Sequence, residues 1–230
     1  MNNNNPYLSF LRLAAICSVL GAVTTALLIF LPNPEAASFE ERAWLYRNDL
    51  YMVKLWILFL HPQLNFLASL GLAVLLFRKY PMQVICGTFF LLVWTVSEMT
   101  QQALLIDGLN QFWRPGYLSS DDDATKQLFE TLIHAANGIS DSQYFLVIYG
   151  FGLGSLFFGL SMIREDMLAR MIGGSLLFIG LLSLMSFCRY YLGITSFNSF
   201  VNWSYEWIYP YLQPAVRLAI GYWIFKKITS

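Results

Sequence analysis

Charge is what this sequence has least of. Only 12% of its 230 residues are Asp, Glu, Lys or Arg, roughly half the share of an ordinary water-soluble domain. Hydrophobic residues make up 57%, so there is too little polar side chain to cover a globule of this size in water. A surplus of positive charge is missing too. Fourteen basic residues balance 14 acidic ones, so nothing points to nucleic acid as a partner. Cysteine is sparse and scattered: Cys17, Cys86 and Cys188 fall singly in apolar stretches, without a CxxC pair, which excludes a disulfide framework. There are two histidines, His61 and His134, and no HxxxH or HExxH pair. No phosphate loop, dinucleotide fingerprint or Ser/His/Asp nucleophile pattern is present. No cofactor or metal is expected. A haem would need paired axial ligands, and only His61 lies plainly within an apolar run.

Long apolar runs are there instead, and they imply an all-α polytopic helix bundle in which lipid takes the place of water. The first run, Leu8 to Leu31, is closed by Pro32 and Pro34 and is long enough to cross a ~30 Å hydrocarbon core. It lacks a strongly basic start and reads as an uncleaved anchor. Five more spans follow, over about 55–77, 82–106, 144–163, 171–191 and 201–225. Ser38 and Glu41 form a capping box ahead of the second, and Pro62 is expected to kink it. Between the third and fourth spans lies a polar connection with Pro115-Gly116 as a turn. It also holds an amphipathic helix from Ser119-Ser120 to Asn137-Gly138, lying on the membrane surface or over the bundle mouth. Apart from the short run Asn2 to Asn5 there is no repeat, and residues 1–230 read as one membrane domain.

With six spans both termini share a side. That side collects Arg12, Arg78, Lys79, Arg164, Arg170, Lys226 and Lys227 in short connections, so it is expected to be cytoplasmic. Small residues mark the packing faces, because lipid tails do not drive helices together. They are Ala14, Ser18 and Ala22 in the first span, Gly150, Gly152, Gly154, Ser155 and Gly159 in the fourth, and Gly173, Gly174, Gly180, Ser183 and Ser186 in the fifth. A GxxxG pattern in such glycine-rich spans does not specify a dimer, so the oligomeric state stays open.

Ionisable groups in a span are costly and face an interior or a wet cavity. At ~1.5 Å per residue, His61 and Glu98 lie roughly 24 Å from the cytoplasmic boundary, and Arg189 and Glu206 roughly 28 Å. Four spans therefore place polar groups in one outer layer. His61, Asn65 and Ser69 repeat every four residues, Glu98 is followed by Gln101 and Gln102, and the sixth span carries Glu206, Pro210, Gln213, Pro214 and Arg217. The reading is an outward-facing polar pocket for a small polar ligand or ion, built from His61, Asn65, Glu98, Gln101, Arg189 and Glu206. Arg217 sits roughly 12 Å from the cytoplasmic boundary, within reach of snorkelling. The bland alternatives are an Arg189–Glu206 ion pair across a hairpin and a His61 that serves the Pro62 kink. A metal held by His61, Glu98 and His134 or Glu206 would need convergence at about 2 Å.

Gly154 to Ile163 (GSLFFGLSMI), Ala169 to Gly174 (ARMIGG), Arg12 to Ala15 with Gly21-Ala22, and Ala73 to Arg78 (AVLLFR) carry a resemblance. They resemble a family of uncharacterised, roughly six-pass bacterial membrane proteins classed as a domain of unknown function. Such proteins are expected to carry a His in the fourth span where Ser161 stands here, a departure that weakens any shared metal or haem site. The resemblance implies a multi-pass protein of the bacterial inner membrane and supplies no activity. Two other function classes stay open: a membrane-embedded enzyme or metal protein acting on an apolar substrate, and an accessory protein that docks a partner.

Overall fold

Each apolar run becomes a helix because a helix is the one conformation that satisfies its own backbone polar groups away from water. The computed structural model describes residues 7–229, and the run Asn2 to Asn5 lies outside the described residues. Among the described residues there is no strand. The helices are α1 (Leu8–Phe30), α2 (Phe39–Trp44), α3 (Asp49–Leu76), α4 (Pro81–Ala103), α5 (Arg114–Ser119), α6 (Asp123–Met162), α7 (Met167–Tyr191), α8 (Asn198–Trp207) and α9 (Tyr209–Thr229). Five helical stretches are long and apolar enough to cross a membrane: α1, α3, the continuous run 81–119, α6 and α7. The chain is therefore an all-α, multi-pass membrane bundle. Helix α9 adds a sixth long element, less apolar because it carries Gln213, Arg217, Lys226 and Lys227.

Six helices close into a ring in the order α1, α3, α4, α6, α7, α9, and α9 returns to α1. The seam between α7 and α9 is the loosest. Helix α1 shows how sequence sets the facing: Leu11, Ala14, Ala15, Ser18, Ala22 and Thr25 point inward, while Leu13, Ile16, Leu20, Val23 and Leu27 are exposed. Ordinary soluble proteins do not display such an apolar exterior; it is the lipid-facing surface.

Three expectations about the elements are corrected. The amphipathic segment is not a separate surface helix. It is the first half of α6, a single 40-residue helix that passes through Asn137-Gly138 without a break. At ~1.5 Å per residue α6 is roughly 60 Å long, about twice the hydrocarbon thickness. No proline interrupts it, and a single Gly in a helix costs only about 1 kcal/mol. Nor do Pro115-Gly116 form a turn. The chain runs on from α4 through a π-helical stretch, Leu104–Trp113, into α5, where Pro115 occupies the first turn and its missing N–H is not needed. Asn110 supports the wide turn, donating to Leu105 O at 2.5 Å and accepting from Arg114 at 2.5 Å. Finally, the segment expected as a sixth span, 201–225, is broken. Helix α8 ends at Trp207 and α9 begins at Tyr209, because a residue before proline is pushed away from the helical region and Pro210 follows Tyr209.

The extension of α4, α5, α2 and the first half of α6 share a small second core of Ala43, Leu109, Tyr117, Ile133 and Ala136. Ser38 caps α2, accepting from Glu41 N at 3.1 Å, while Glu41 returns to Ala37 N. The capping box thus starts α2, and Asn48 caps the long α3 through Tyr51 N.

At the opposite end, Asp166 caps α7 by accepting from Ala169 N and also binds Lys227 at 3.0 Å and the Trp223 indole N–H at 3.1 Å. Burial alone would raise its carboxyl, but the Ala169 N–H, Lys227 and Trp223 outweigh that and hold it at about 2. A depressed carboxyl stabilises the fold fully above its unfolded value and loses that stabilisation as pH falls from about 4 through 2. The side chain is 38% exposed, so screening reduces the effect to about 1 kcal/mol. Asp166→Asn retains the cap and removes the charge. Its melting temperature at neutral pH should fall by roughly 2–4 °C, and the gap to wild type should close as pH drops below about 3.

Candidate functional site

Polar residues that face the ring interior meet in two stacked chambers. The larger, about 290 Å³, is lined by His61 from α3, Trp94 and Glu98 from α4, Tyr144 and Phe151 from α6, Tyr205 from α8, and Tyr209 and Gln213 from α9. Beneath it a chamber of about 60 Å³ is lined by Ser18, Asn65, Ser69, Ser155 and Arg217. Trp94, Phe151 and Gln213 border both chambers and form the neck between them. The rest of the lower chamber's wall is apolar, formed by Leu72, Leu91, Phe158, Leu176, Ile179 and Ile220.

Helix spacing explains the convergence. His61, Asn65 and Ser69 rise one turn at a time on α3, Trp94 and Glu98 stand four apart on α4, and Tyr205, Tyr209, Gln213 and Arg217 repeat every four residues across the α8–α9 break. Gly150 lets α6 approach closely. A Cβ there would sit 2.8 Å from both Phe90 O and Trp94 N, so a larger residue would push α6 away and open the neck at Trp94.

His61 Nδ1 lies 2.9 Å from Thr24 Oγ1. The Thr24 hydroxyl is also within donating distance of Leu20 O and Gly21 O, and Asn65 Nδ2 lies 3.3 Å from both ring nitrogens of His61. The edge of His61 meets Trp94 with centroids 6.1 Å apart. Asn65 links two levels, donating from Nδ2 to His61 O at 2.7 Å and accepting at Oδ1 from Arg217. Ser18 donates to Arg217 O at 2.7 Å, which ties α1 to α9 at the same height.

Three buried groups are left with bonding capacity. The Arg217 guanidinium is 9% exposed, donates to Asn65, and has an unsatisfied Nε–H. The Glu98 carboxylate, 8% exposed, has only the Trp94 N–H for a local partner and no cation within 4 Å among the described residues. The Gln213 amide, also 8% exposed, has no hydrogen-bond partner among the described residues. Arg217 and Glu98 nevertheless feel each other's charge across the neck.

The structure brings His61, Asn65 and Glu98 together and places the other three expected residues elsewhere. Gln101 holds α4 to α6, donating to Ser140 O at 2.8 Å and Ser140 Oγ at 2.9 Å. Arg189 and Glu206 line a hollow of about 430 Å³ with Asn202 and Tyr190, and Tyr144 and Tyr205 border both this hollow and the larger chamber. They do not form the ion pair: Arg189 donates to Asn202 at 2.5 Å and to Tyr190 at 3.0 Å, and Glu206 is exposed. His134 stacks on Phe39 far along α6, and among the described residues no three His, Cys, Asp or Glu side chains are grouped as ligands for a metal.

Arg217 is the principal residue that sequence reasoning set aside. A Cα depth does not say which way a long side chain reaches, and this one reaches inward to Asn65, not out to the boundary. Tyr205 and Tyr209 were legible in principle as the start of a four-residue repeat that ends at Arg217. The class is that of a multi-pass helical membrane bundle with a polar interior. Compared with known proteins, the chain matches no family model, no curated protein and no solved structure.

Proposed function

We propose that this chain is a six-span protein of a bacterial inner membrane that binds or moves a small polar solute or ion through the upper chamber. In this reading α9 is the sixth span, both termini are cytoplasmic, and the upper chamber faces outward. The likeness to six-pass bacterial membrane proteins and the weight of Lys and Arg in the short connections favour that placement.

The observation that carries the reading is that Glu98, Gln213 and Arg217 face chambers of 290 and 60 Å³ inside an apolar bundle, Glu98 without a cation and Arg217 with an unsatisfied Nε–H among the described residues. Buried polar groups without partners cost free energy, and a ligand that completes their bonds recovers it. An ion pair kept only for structure would be expected to close up and exclude the cavity.

The test is thermal unfolding of the detergent-purified chain across a library of small polar solutes. A solute at about a hundred times its Kd should stabilise wild type by about 2.7 kcal/mol. Glu98→Gln should remain folded and lose most of that response. Equal responses in wild type and Glu98→Gln, or none in either, would sink the proposal.

A further inference from the structure

The charge layout of the two chambers narrows the ligand class, an argument that rests on the pocket reading above. We infer that the solute is a small zwitterion, with its ammonium at Glu98 in the upper chamber and its carboxylate directed past Gln213 to Arg217.

The first support is charge balance. When ionised, Glu98 contributes a negative charge above the neck and Arg217 a positive one below it, and neither has an ion-pair partner within 4 Å among the described residues. A lone cation would satisfy Glu98 and add to the positive charge of Arg217 in the same low-dielectric interior. A lone anion would do the reverse. A zwitterion answers both charges and leaves the net charge of the site unchanged, which is the cheapest outcome where desolvated charge is expensive.

The second support is the chemistry of the walls. Trp94, Tyr144, Tyr205 and Tyr209 surround the Glu98 level, and Tyr205 and Tyr209 pack with centroids 4.7 Å apart. Aromatic faces beside a carboxylate suit an ammonium group. Below, the guanidinium offers a fork matched to a carboxylate, with Ser18, Ser69 and Ser155 as neutral companions. Between them the unpartnered Gln213 amide can donate to the carboxylate and accept from the ammonium.

The third support is length. Counted along α4 from Pro81 and along α3 from Leu76, the backbone of Glu98 stands roughly 9 Å along the bundle axis from that of Asn65, which holds the guanidinium. An α-amino acid bridges about that distance: two hydrogen bonds of ~2.8 Å, plus the ~3 Å between its amino nitrogen and a carboxylate oxygen. The lower chamber, at 60 Å³, admits the carboxylate and little else, so any side chain of the ligand must occupy the upper 290 Å³.

The experiment compares zwitterions with their halves. Thermal unfolding of the full purified chain is followed with L-alanine, other small α-amino acids and glycine betaine, each beside an amine-only and a carboxylate-only counterpart such as ethylamine and propionate. At about a hundred times Kd, at least one zwitterion should raise Tm by roughly 5–10 °C, with no comparable rise from its halves. Glu98→Gln should weaken that zwitterion about a hundredfold. Gln213→Leu, which removes an amide bonded to nothing, should melt like wild type without ligand and bind about tenfold more weakly. A response to ethylamine or to propionate equal to that of the zwitterion overturns this inference and leaves the pocket reading intact. So does a zwitterion response undiminished in both variants. Silence across the whole panel and across the wider solute library overturns both.

Discussion

Asn65→Leu should lower the stability of the apo protein by about 3 kcal/mol, a fall in Tm of roughly 6–12 °C. Among the described residues Asn65 Oδ1 is the one side-chain acceptor of the Arg217 guanidinium, and Nε of the same group already lacks a partner. Removing the acceptor leaves a full positive charge inside an apolar ring with nothing to bind. The loss therefore exceeds that of an ordinary interhelical hydrogen bond, which averages well under 1 kcal/mol in membrane bundles. The effect belongs to the orphaned charge and not to the contact, so adding Arg217→Met should restore much of the loss. Calorimetric or fluorescence melting of the two single variants and the double variant closes the cycle. Additive losses would show that Arg217 turns to the boundary on its own and that Asn65 matters only for packing.

Gly173→Ala should cost about 2 kcal/mol, while the same change one residue later should gain about 0.5–1 kcal/mol. A Cβ at position 173 would stand 2.6 Å from Ile163 N and 2.9 Å from Gly159 O. Both are backbone atoms, so relief requires α7 to move off α6 along the seam. Gly174 was read as part of the same packing face, yet nothing lies within 4 Å of its would-be Cβ, and it points to the exterior. There an alanine removes backbone freedom from the unfolded chain without meeting a neighbour. Melting temperatures of the two variants should move in opposite directions. Two losses of equal size would show that helix flexibility, and not the close α6–α7 approach, sets the requirement for glycine.

The helical class and most boundaries were legible because they depend on one-dimensional signals. Proline 32 ends α1, Asp166 starts α7, and uncharged stretches lie between. Where the reading departed, the deciding interaction was long in range or angular. Asn137-Gly138 resemble a stop, but the segments on both sides are helical and no competing cap captures the chain. Glu206 and Arg189 share a depth, yet depth ignores rotation about the axis. Glu206 points outward one residue after Tyr205 points in. The inward facing of His61, Asn65 and Glu98 was legible because helical periodicity puts them with Ser69 on one helix and with Gln101 and Gln102 on the next, and all of these are buried. The partner of Asn65 was not, because Arg217 lies 152 residues away on a helix that closes the ring last.

Helix α6 has a mechanical consequence. It carries Phe129 and Ile133 in the small outer core and Tyr144, Val147 and Phe151 in the chamber wall, with no joint between them. A rod pinned against α4 at Gly150 behaves as a seesaw. A tilt of about 5° there swings Phe129, roughly 32 Å along the axis, through nearly 3 Å. Tyr144, roughly 9 Å from the same pivot, moves by less than 1 Å in that tilt, so displacement of the far end reaches the chamber wall strongly reduced.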